Sequence, residues 1–293
     1  MKELNKVILT PNPYRDKNFQ TVREAMRVLT EAGIDAKICL PFEVDKTYDL
    51  PRDLRFSRLD RELPGASMVI CFGGDGTILH MAKTATRHNI PILGVNIGTM
   101  GFMAELESSE LSQLARIATG DYTVDERMML DVTVHRERDI IFHDICLNDV
   151  VITKGAVARI VHLAVNCDGV QAMECGGDGI IVATPTGSTA YCMSAGGPII
   201  DPELDCICAV PVCPYMCLNN GAVVFSGSSV IEVEFKADKI NEAFCTVDGK
   251  STKSIYDGDI VRITKAPTVT KLLRLKDTDF YSRLNEKMNL ANN

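Results

Sequence analysis

Over the first 120 residues, short apolar runs alternate with longer segments of 3.6-residue period, the pattern of parallel strands joined by helices. Residues 7–10 read as a strand. Phe19, Val22, Met26 and Leu29 then fall at helical spacing, and Gly33 supplies the stop. A second strand is expected at 34–40, followed by a polar stretch with Pro41, Pro51 and Pro64 that reads as a loop with little regular structure. Residues 68–72 form a third strand, 77–88 a helix and 90–96 a fourth strand. A helix opened by Ser108 as N-cap and closed by Gly120 completes this part.

From about Tyr122 the texture changes. Val132 and Val134, residues 150–153, residues 162–166, and Val230, Ile231, Val233 and Phe235 mark strands separated by turn signals, with Asp248-Gly249 and Asp257-Gly258 as hairpin-type dipeptides. Residues 278–290 are helical again, and a lone helix after a β-rich region must bury its apolar face somewhere, so it is expected to return to the first domain. The expected organisation is an α/β domain with a parallel sheet over 1–121, a β-rich domain over 122–270 and a returning C-terminal segment over 271–293.

Composition narrows the classes. The chain has 293 residues, a formal net charge of −8 and 46% hydrophobic residues, enough for two well-packed domains. The acidic balance, with no basic patch, argues against nucleic acid and against polybasic membrane attachment. Eleven cysteines, an odd number lying mostly in apolar runs such as those of Cys39, Cys71 and Cys146, read as reduced, buried thiols of a cytoplasmic protein. The first residues offer only a four-residue apolar run, too short for a signal peptide, and residues 206–218 hold Pro211 and Pro214 and are too short to span a bilayer, so a soluble protein is expected.

Two familiar nucleotide motifs fail. Gly249-Lys250-Ser251 has the tail of a P-loop, but position 244 is Phe rather than Gly. Gly74-x-Gly76 and Gly177-x-Gly179 lack the third glycine of the dinucleotide fingerprint, having Leu79 and Val182 there. What stands out is Gly73-Gly74-Asp75-Gly76-Thr77, between an apolar strand and a helix. Residues without side chains at such a turn let backbone N–H groups approach phosphate oxygens, and the helix N-terminus adds positive character. A tight turn capped by Asp75 is the plainer reading of the same residues. An acidic residue inside a phosphate loop repels phosphate unless it meets a cation or takes a proton from a hydroxyl. A second run, Asp178 to Pro198, carries Thr184-Pro185-Thr186-Gly187-Ser188-Thr189-Ala190-Tyr191 out of an apolar strand, a concentration of hydroxyls suited to ribose or phosphate.

Taken together these residues resemble the NAD kinases of bacterial type: GGDGT at 73–77, GVNIGTMGFMAEL at 94–106, RMML at 127–130, LNDVV at 147–151, DGIIVATPTGSTAYCMSAGGP at 178–198 and VDG at 247–249. GGDGT is shared with diacylglycerol and sphingosine kinases, whereas TPTGSTAY is far more specific. The resemblance implies an α/β domain, a β-sandwich-like second domain, a site in the cleft between them and a homo-oligomer, dimer or tetramer. It implies transfer of the γ-phosphoryl of ATP, with a divalent metal such as Mg²⁺, to the 2′-hydroxyl of the adenosine ribose of NAD. On that resemblance Asp75 is the general base, and Gly73, Gly74, Gly76 and Thr77 cradle phosphates. NAD would be bound by Asp75 and Gly76, by Phe102 stacking on a ring, by Asn148 and Asp149 on the ribose, by Arg159 near the phosphates and by Asp178 on the nicotinamide side. Thr186, Thr189, Ala190, Tyr191 and Ser194 would surround adenine and ribose, and Lys250 stands where Gln is common. The chain departs from the family pattern at Tyr215 for His, at Asn220-Gly221 for Arg-Pro and at Asp149 for Glu.

Cys206, Cys208, Cys213 and Cys217 lack metal-ligand spacing and read as buried thiols. His80 and His88 read as surface residues on the helix after GGDGT, with no catalytic role. Two other functions stand beside the leading one: a lipid kinase sharing GGDGT, and a catalytically silent dinucleotide sensor, suggested by Tyr215 and Asn220.

Overall fold

The computed structural model describes residues 6–45, 47–98, 101–155, 160–215, 221–236 and 242–291. The chain divides into two compact units, Met1–Glu126 with Thr270–Asn293, and Arg127–Val269.

In the first unit, strands β1 (Val7–Pro11), β2 (Ala36–Cys39), β3 (Phe56–Ser57), β4 (Met68–Gly73) and β5 (Ile92–Asn96) form a parallel sheet in the order β5-β4-β1-β2-β3. Every residue of β1, β4 and β5 is buried, as expected of strands covered on both faces. Helices α1 (Gln20–Glu31), α2 (Leu59–Glu62) and α3 (Asp75–Arg87) connect them, and the short β6 (Leu106–Glu107) pairs with β5. One core takes in Val22, Ala25 and Leu29 of α1, Ile70 and Phe72 of β4, and Leu111, Leu114 and Ile117 of a 3₁₀ segment, Ser108–Thr119.

Two details depart from the sequence reading. The proline-rich stretch is not without structure, because Ile38 pairs with Phe56 and α2 follows directly. Glu107, not Ser108, caps the 3₁₀ segment, through a box in which Glu107 and Glu110 satisfy each other's backbone N–H groups. Gly120 ends it at φ 71°, as the sequence indicates.

The second unit is a sandwich. Strands β7 (Thr123–Arg136), β8 (Asp139–Cys146), β9 (Asp149–Lys154), β10 (Val161–Cys167), β11 (Val170–Gly177) and β12 (Gly179–Ala183) are followed by α4 (Tyr191–Ser194), β13 (Cys206–Val212), β14 (Val223–Ser226), β15 (Ile231–Lys236), β16 (Ala243–Val247), β17 (Ser251–Ile255) and β18 (Ile260–Arg274). One layer runs β14-β13-β12-β9-β16-β17 and is antiparallel throughout; β10, β11, β15, β18, β7 and β8 make the other. Both layers send alternate residues into one core, including Val132, Ile152, Leu163, Ile180 and Phe235. The outer face of the first layer has a smaller cluster of its own, Ile181, Ala183, Cys192, Cys208 and Val210 among them, covered by α4. Pro211 sits in β13 beyond its pairing with β14, where the missing N–H costs no ladder bond.

The last residues of β18 rejoin the first unit, where Leu272 pairs with Ile92 and Leu273 and Leu275 enter its core, and α5 (Phe280–Ala291) lies in that unit as the sequence indicates. Among the described residues no helix is long and apolar enough to cross a membrane. Cys213 is exposed and Cys167 half-buried, so burial of the thiols is not uniform; Cys217 and Asn220 lie outside the described residues.

Candidate functional site

In the first unit the site grows from the β4–α3 junction. Gly74 is the N-cap of α3 in extended conformation, and Asp75 is the first helical residue. A Cβ on Gly73 would stand 2.2 Å from Thr77 Oγ1, so close packing of strand on helix demands glycine there. Nothing lies within 4 Å of where a Cβ would stand on Gly74 or Gly76, and neither has a positive φ. The fold alone does not require glycine at these two positions; an approaching ligand would.

Asp75 does not cap its own helix. Its carboxylate accepts the backbone N–H of Phe102 at 2.7 Å and of Met103 at 3.0 Å, and Gly101 is needed beside it because a Cβ there would lie 2.7 Å from Asp75 Oδ1. Burial raises the Asp75 pKa above the ordinary carboxylate value, against the pull of these N–H groups, of the Lys287 charge and of a further N–H from Ala104. A cavity of about 410 Å³ opens in front of it, with Asn12, Arg15, Thr77, His80 and Asn96 in its wall. Asn12 Nδ2 donates to Thr77 Oγ1 at 3.3 Å. His80, read from the sequence as a surface residue, lines this cavity half-buried, its Nε2 2.9 Å from the Pro41 carbonyl. Asn96 gives its amide to Glu107 at 2.8 Å, while its buried Oδ1 has no hydrogen-bond partner among the described residues.

The second unit assembles a site from two loops and a turn. Thr184, at the end of β12, donates its hydroxyl to the Leu147 carbonyl at 2.6 Å, accepts the Gly187 N–H at 3.0 Å and gives its own N–H to the Asn148 carbonyl at 2.9 Å. A Cβ on Gly187 would stand 2.0 Å from that same carbonyl oxygen. The hydroxyl-rich run is thereby folded down on residues 147–149. Ser188 Oγ donates to Pro185 O at 2.7 Å and accepts from Ile200 N at 3.0 Å, so two of the run's hydroxyls, Thr184 and Ser188, serve the fold. Thr186 Oγ1 accepts from the buried Arg127 at 3.4 Å.

Asp248 anchors the other side. It sits in the β16–β17 turn at φ 49°, followed by Gly249 at φ 64°, and its carboxylate accepts the N–H groups of Leu147 (3.0 Å), Asn148 (2.9 Å) and Asp149 (3.3 Å). Asp149 is 5% exposed, and burial first, then the neighbouring Asp248 charge, pushes its pKa up to about 7. Asn148 Oδ1 is buried with no hydrogen-bond partner among the described residues, which leaves its acceptor capacity unused by the fold.

Of the residues singled out in the sequence, Gly73, Gly74, Asp75, Gly76, Thr77 and Phe102 thus lie together in the first unit, and Phe102 meets Asp75 through its backbone N–H. Asn148, Asp149 and Thr186 come together in the second unit. Thr189 and Ala190 are half-buried beside them in sequence, Tyr191 and Ser194 are exposed at α4, Lys250 is exposed in the Asp248 turn, and Asp178 pairs with Lys154 at 2.6 Å. Tyr215 is exposed, its N–H on the Gly176 carbonyl, and Arg159 lies outside the described residues. The sequence marks Asp248 as a turn residue and as part of the VDG motif at 247–249 but gives it no role, and Arg15 and Asn12 carry no local signal.

Residues 7–122 match the family model of the ATP-NAD kinase N-terminal domain, and residues 147–275 that of the ATP-NAD kinase C-terminal domain. A NAD kinase of Natranaerobius thermophilus is 37% identical over 288 residues, covering 97% of this chain and 98% of the relative; one of Geotalea daltonii is 42% identical over 225 residues, covering 76% and 78%. Among solved structures, yeast NADH kinase complexed with NADH has the same fold at a TM-score of 0.83, with 22% identity over 99% of this chain and 88% of that one. An NAD kinase from Archaeoglobus fulgidus in complex with ATP superposes at a TM-score of 0.74, with 24% identity over 97% and 99%. The chain belongs to the ATP-NAD kinase family.

Proposed function

We propose that the protein phosphorylates NAD to NADP, transferring the γ-phosphoryl of ATP to the 2′-hydroxyl of the adenosine ribose. The observation that carries this reading is Asp75: a carboxylate held by two backbone N–H groups at the mouth of a glycine-lined helix N-terminus, beside a cavity with Arg15 in its wall. The 2′-oxygen attacks the γ-phosphorus, its proton passes to Asp75, the bond from the γ-phosphorus to the bridging oxygen breaks, and ADP leaves. Burial makes Asp75 a stronger base than an exposed aspartate, while the N–H groups fix its direction. Gly73, Gly74, Gly76 and Thr77 face the phosphates, and the open space at Gly74 and Gly76 supports this.

In the second unit Asn148 and Asp149 take the ribose, the unpartnered Asn148 Oδ1 accepting a hydroxyl. Thr186, Thr189, Ala190, Tyr191 and Ser194 surround adenine and ribose, Asp178 serves the nicotinamide side, and Phe102, Arg159 and Lys250 complete the set. Among the described residues no group of three or more His, Cys, Asp or Glu side chains is placed to hold a metal ion. As the family resemblance implies, a divalent cation would come with the ATP phosphates, for which Mg²⁺ with its retained waters is suited. Bound with ATP, it supplies neutralisation of the charge on the transferring phosphoryl. A homo-oligomer, as the family resemblance implies, working in the cytoplasm, as the mostly buried free thiols support, completes the reading.

The test is NADP formation from NAD, ATP and Mg²⁺ by the wild type and by Asp75→Asn. The expected outcome is turnover by the wild type and a loss of about two to four orders of magnitude in the variant, in which shape is kept and the proton acceptor removed. NAD binding without turnover would make the protein a sensor; phosphorylation of sphingosine or diacylglycerol instead of NAD would make it a lipid kinase.

A further inference from the structure

The segment from Gly101 to Glu107 has one edge on Asp75 and the other on the C-terminal residues. Phe102 and Met103 give their N–H groups to Asp75. Two residues on, the side chain of Glu105 is 1% exposed and collects four donors, every one from the last twenty residues of the chain: Leu275 N at 2.9 Å, Lys276 N at 2.7 Å, Arg274 Nη1 at 3.2 Å and Arg283 Nη1 of α5 at 3.1 Å. Arg274 also holds the Met103 carbonyl at 3.1 Å. One turn further along α5, Lys287 is 8% exposed, and its Nζ lies 3.5 Å from Glu107 Oε1. A buried ammonium needs compensating charge, and an ion contact of that length to a half-exposed carboxylate supplies only part of it. The Lys287 charge also bears on the carboxylate of Asp75.

We propose that α5 is a positioning element for the catalytic base: Arg283, through Glu105, fixes the loop that aims Asp75, and Lys287, tied to Glu107 of the same loop, brings a buried positive charge to it. This rests on the reading of Asp75 as the base. The charged groups around Asp75 on the packed elements are Arg283 and Lys287 of α5, Arg274 of β18, Glu105 and Glu107 of the 101–107 segment, and, in the cavity wall, His80 of α3 and Arg15 of the loop after β1. Of these cations, Arg274 and Arg283 are paired with Glu105, and Lys287 is buried with only a half-exposed partner, so solvent and salt screen its charge little. The sign is definite. Removing a positive charge favours the protonated form of Asp75, and the acid limb of the kcat–pH profile moves to higher pH; removing the negative charge of Glu107 moves it to lower pH.

The experiment measures kcat and KM for NAD across pH in the full-length enzyme for Lys287→Met, Lys287→Arg and Glu107→Gln. Lys287→Met is expected to shift the acid limb upward by about one pH unit, which lowers kcat about tenfold at pH values on that limb and less above it, and to change KM less than threefold. Lys287→Arg should restore both limb and rate. Glu107→Gln, which keeps the capping acceptor, should move the limb the other way, and it tests the idea even if Lys287→Met does not fold. A wild type that makes no NADP refutes the assignment of Asp75 and not the linkage. A wild type that is active, with the limb unmoved in both Lys287→Met and Glu107→Gln, overturns the proposal, even where kcat falls.

Discussion

At the scale of single residues, Asp149 holds its proton at a pH where an exposed aspartate has lost it, because it is buried and faces the carboxylate of Asp248. The consequence for stability has a definite sign. The folded chain binds this proton more tightly than the unfolded chain, whose aspartate titrates near 3.8, so the stability contributed here is full below that pH and is lost as the pH rises through about 7. Asp149→Asn cannot ionise. Relative to wild type it is expected to gain on the order of 2 kcal/mol between pH 5 and pH 8, read from chemical denaturation at the two pH values. The same substitution should weaken NAD binding if the Asp149 carboxylate takes a ribose hydroxyl. The turn residue Asp248 acts by a different route: its three N–H partners are the backbone of residues 147–149, so it shapes the loop that carries Asn148 and Asp149.

At the scale of elements, the contact between the hydroxyl-rich run and the 147–149 loop leaves no room for a side chain. Gly187→Ala would drive a methyl group into the Asn148 carbonyl, and since backbone rather than a flexible side chain must yield, a loss of about 1–3 kcal/mol is expected in thermal or urea unfolding, with KM for NAD raised. This is also where sequence legibility ends. The strands β1, β4 and β5 and the helix after GGDGT are written in local periodicity, and the β16–β17 turn in its Asp-Gly pair, because each depends on neighbours a few residues away. The two-residue β3 is not, since only pairing with β2 makes it a strand. Nor is the start of the Ser108–Thr119 segment, where a reciprocal pair of glutamates outcompetes the serine that local preference favours. The motif names Asp75, yet the N–H groups that hold it come from 27 and 28 residues further on, and no local pattern announces them. His80 reads as surface from its helix alone and turns inward because the Pro41 carbonyl and the ring of Phe42 meet it there.

At the scale of the whole molecule, the chain leaves the first unit at Glu126 and comes back at Thr270, after the second unit is complete. The returning residues are not an ornament on a finished fold: Leu272 extends the parallel sheet, Leu273 and Leu275 fill its core, and Glu105 has no other source for its four donors. On ribosomes arrested at increasing chain length, limited proteolysis should therefore find residues 127–269 protected before residues 7–126, the reverse of their order in the sequence. Early protection of the N-terminal part would mean that its sheet holds without the returning strand. Synthesis also sets a timetable for chemistry. Asp75 is translated well before residues 274–283, which hold Glu105 and through it the segment whose N–H groups meet the Asp75 carboxylate, so a chain cut short before them would carry both glycine-rich motifs intact and lack that brace.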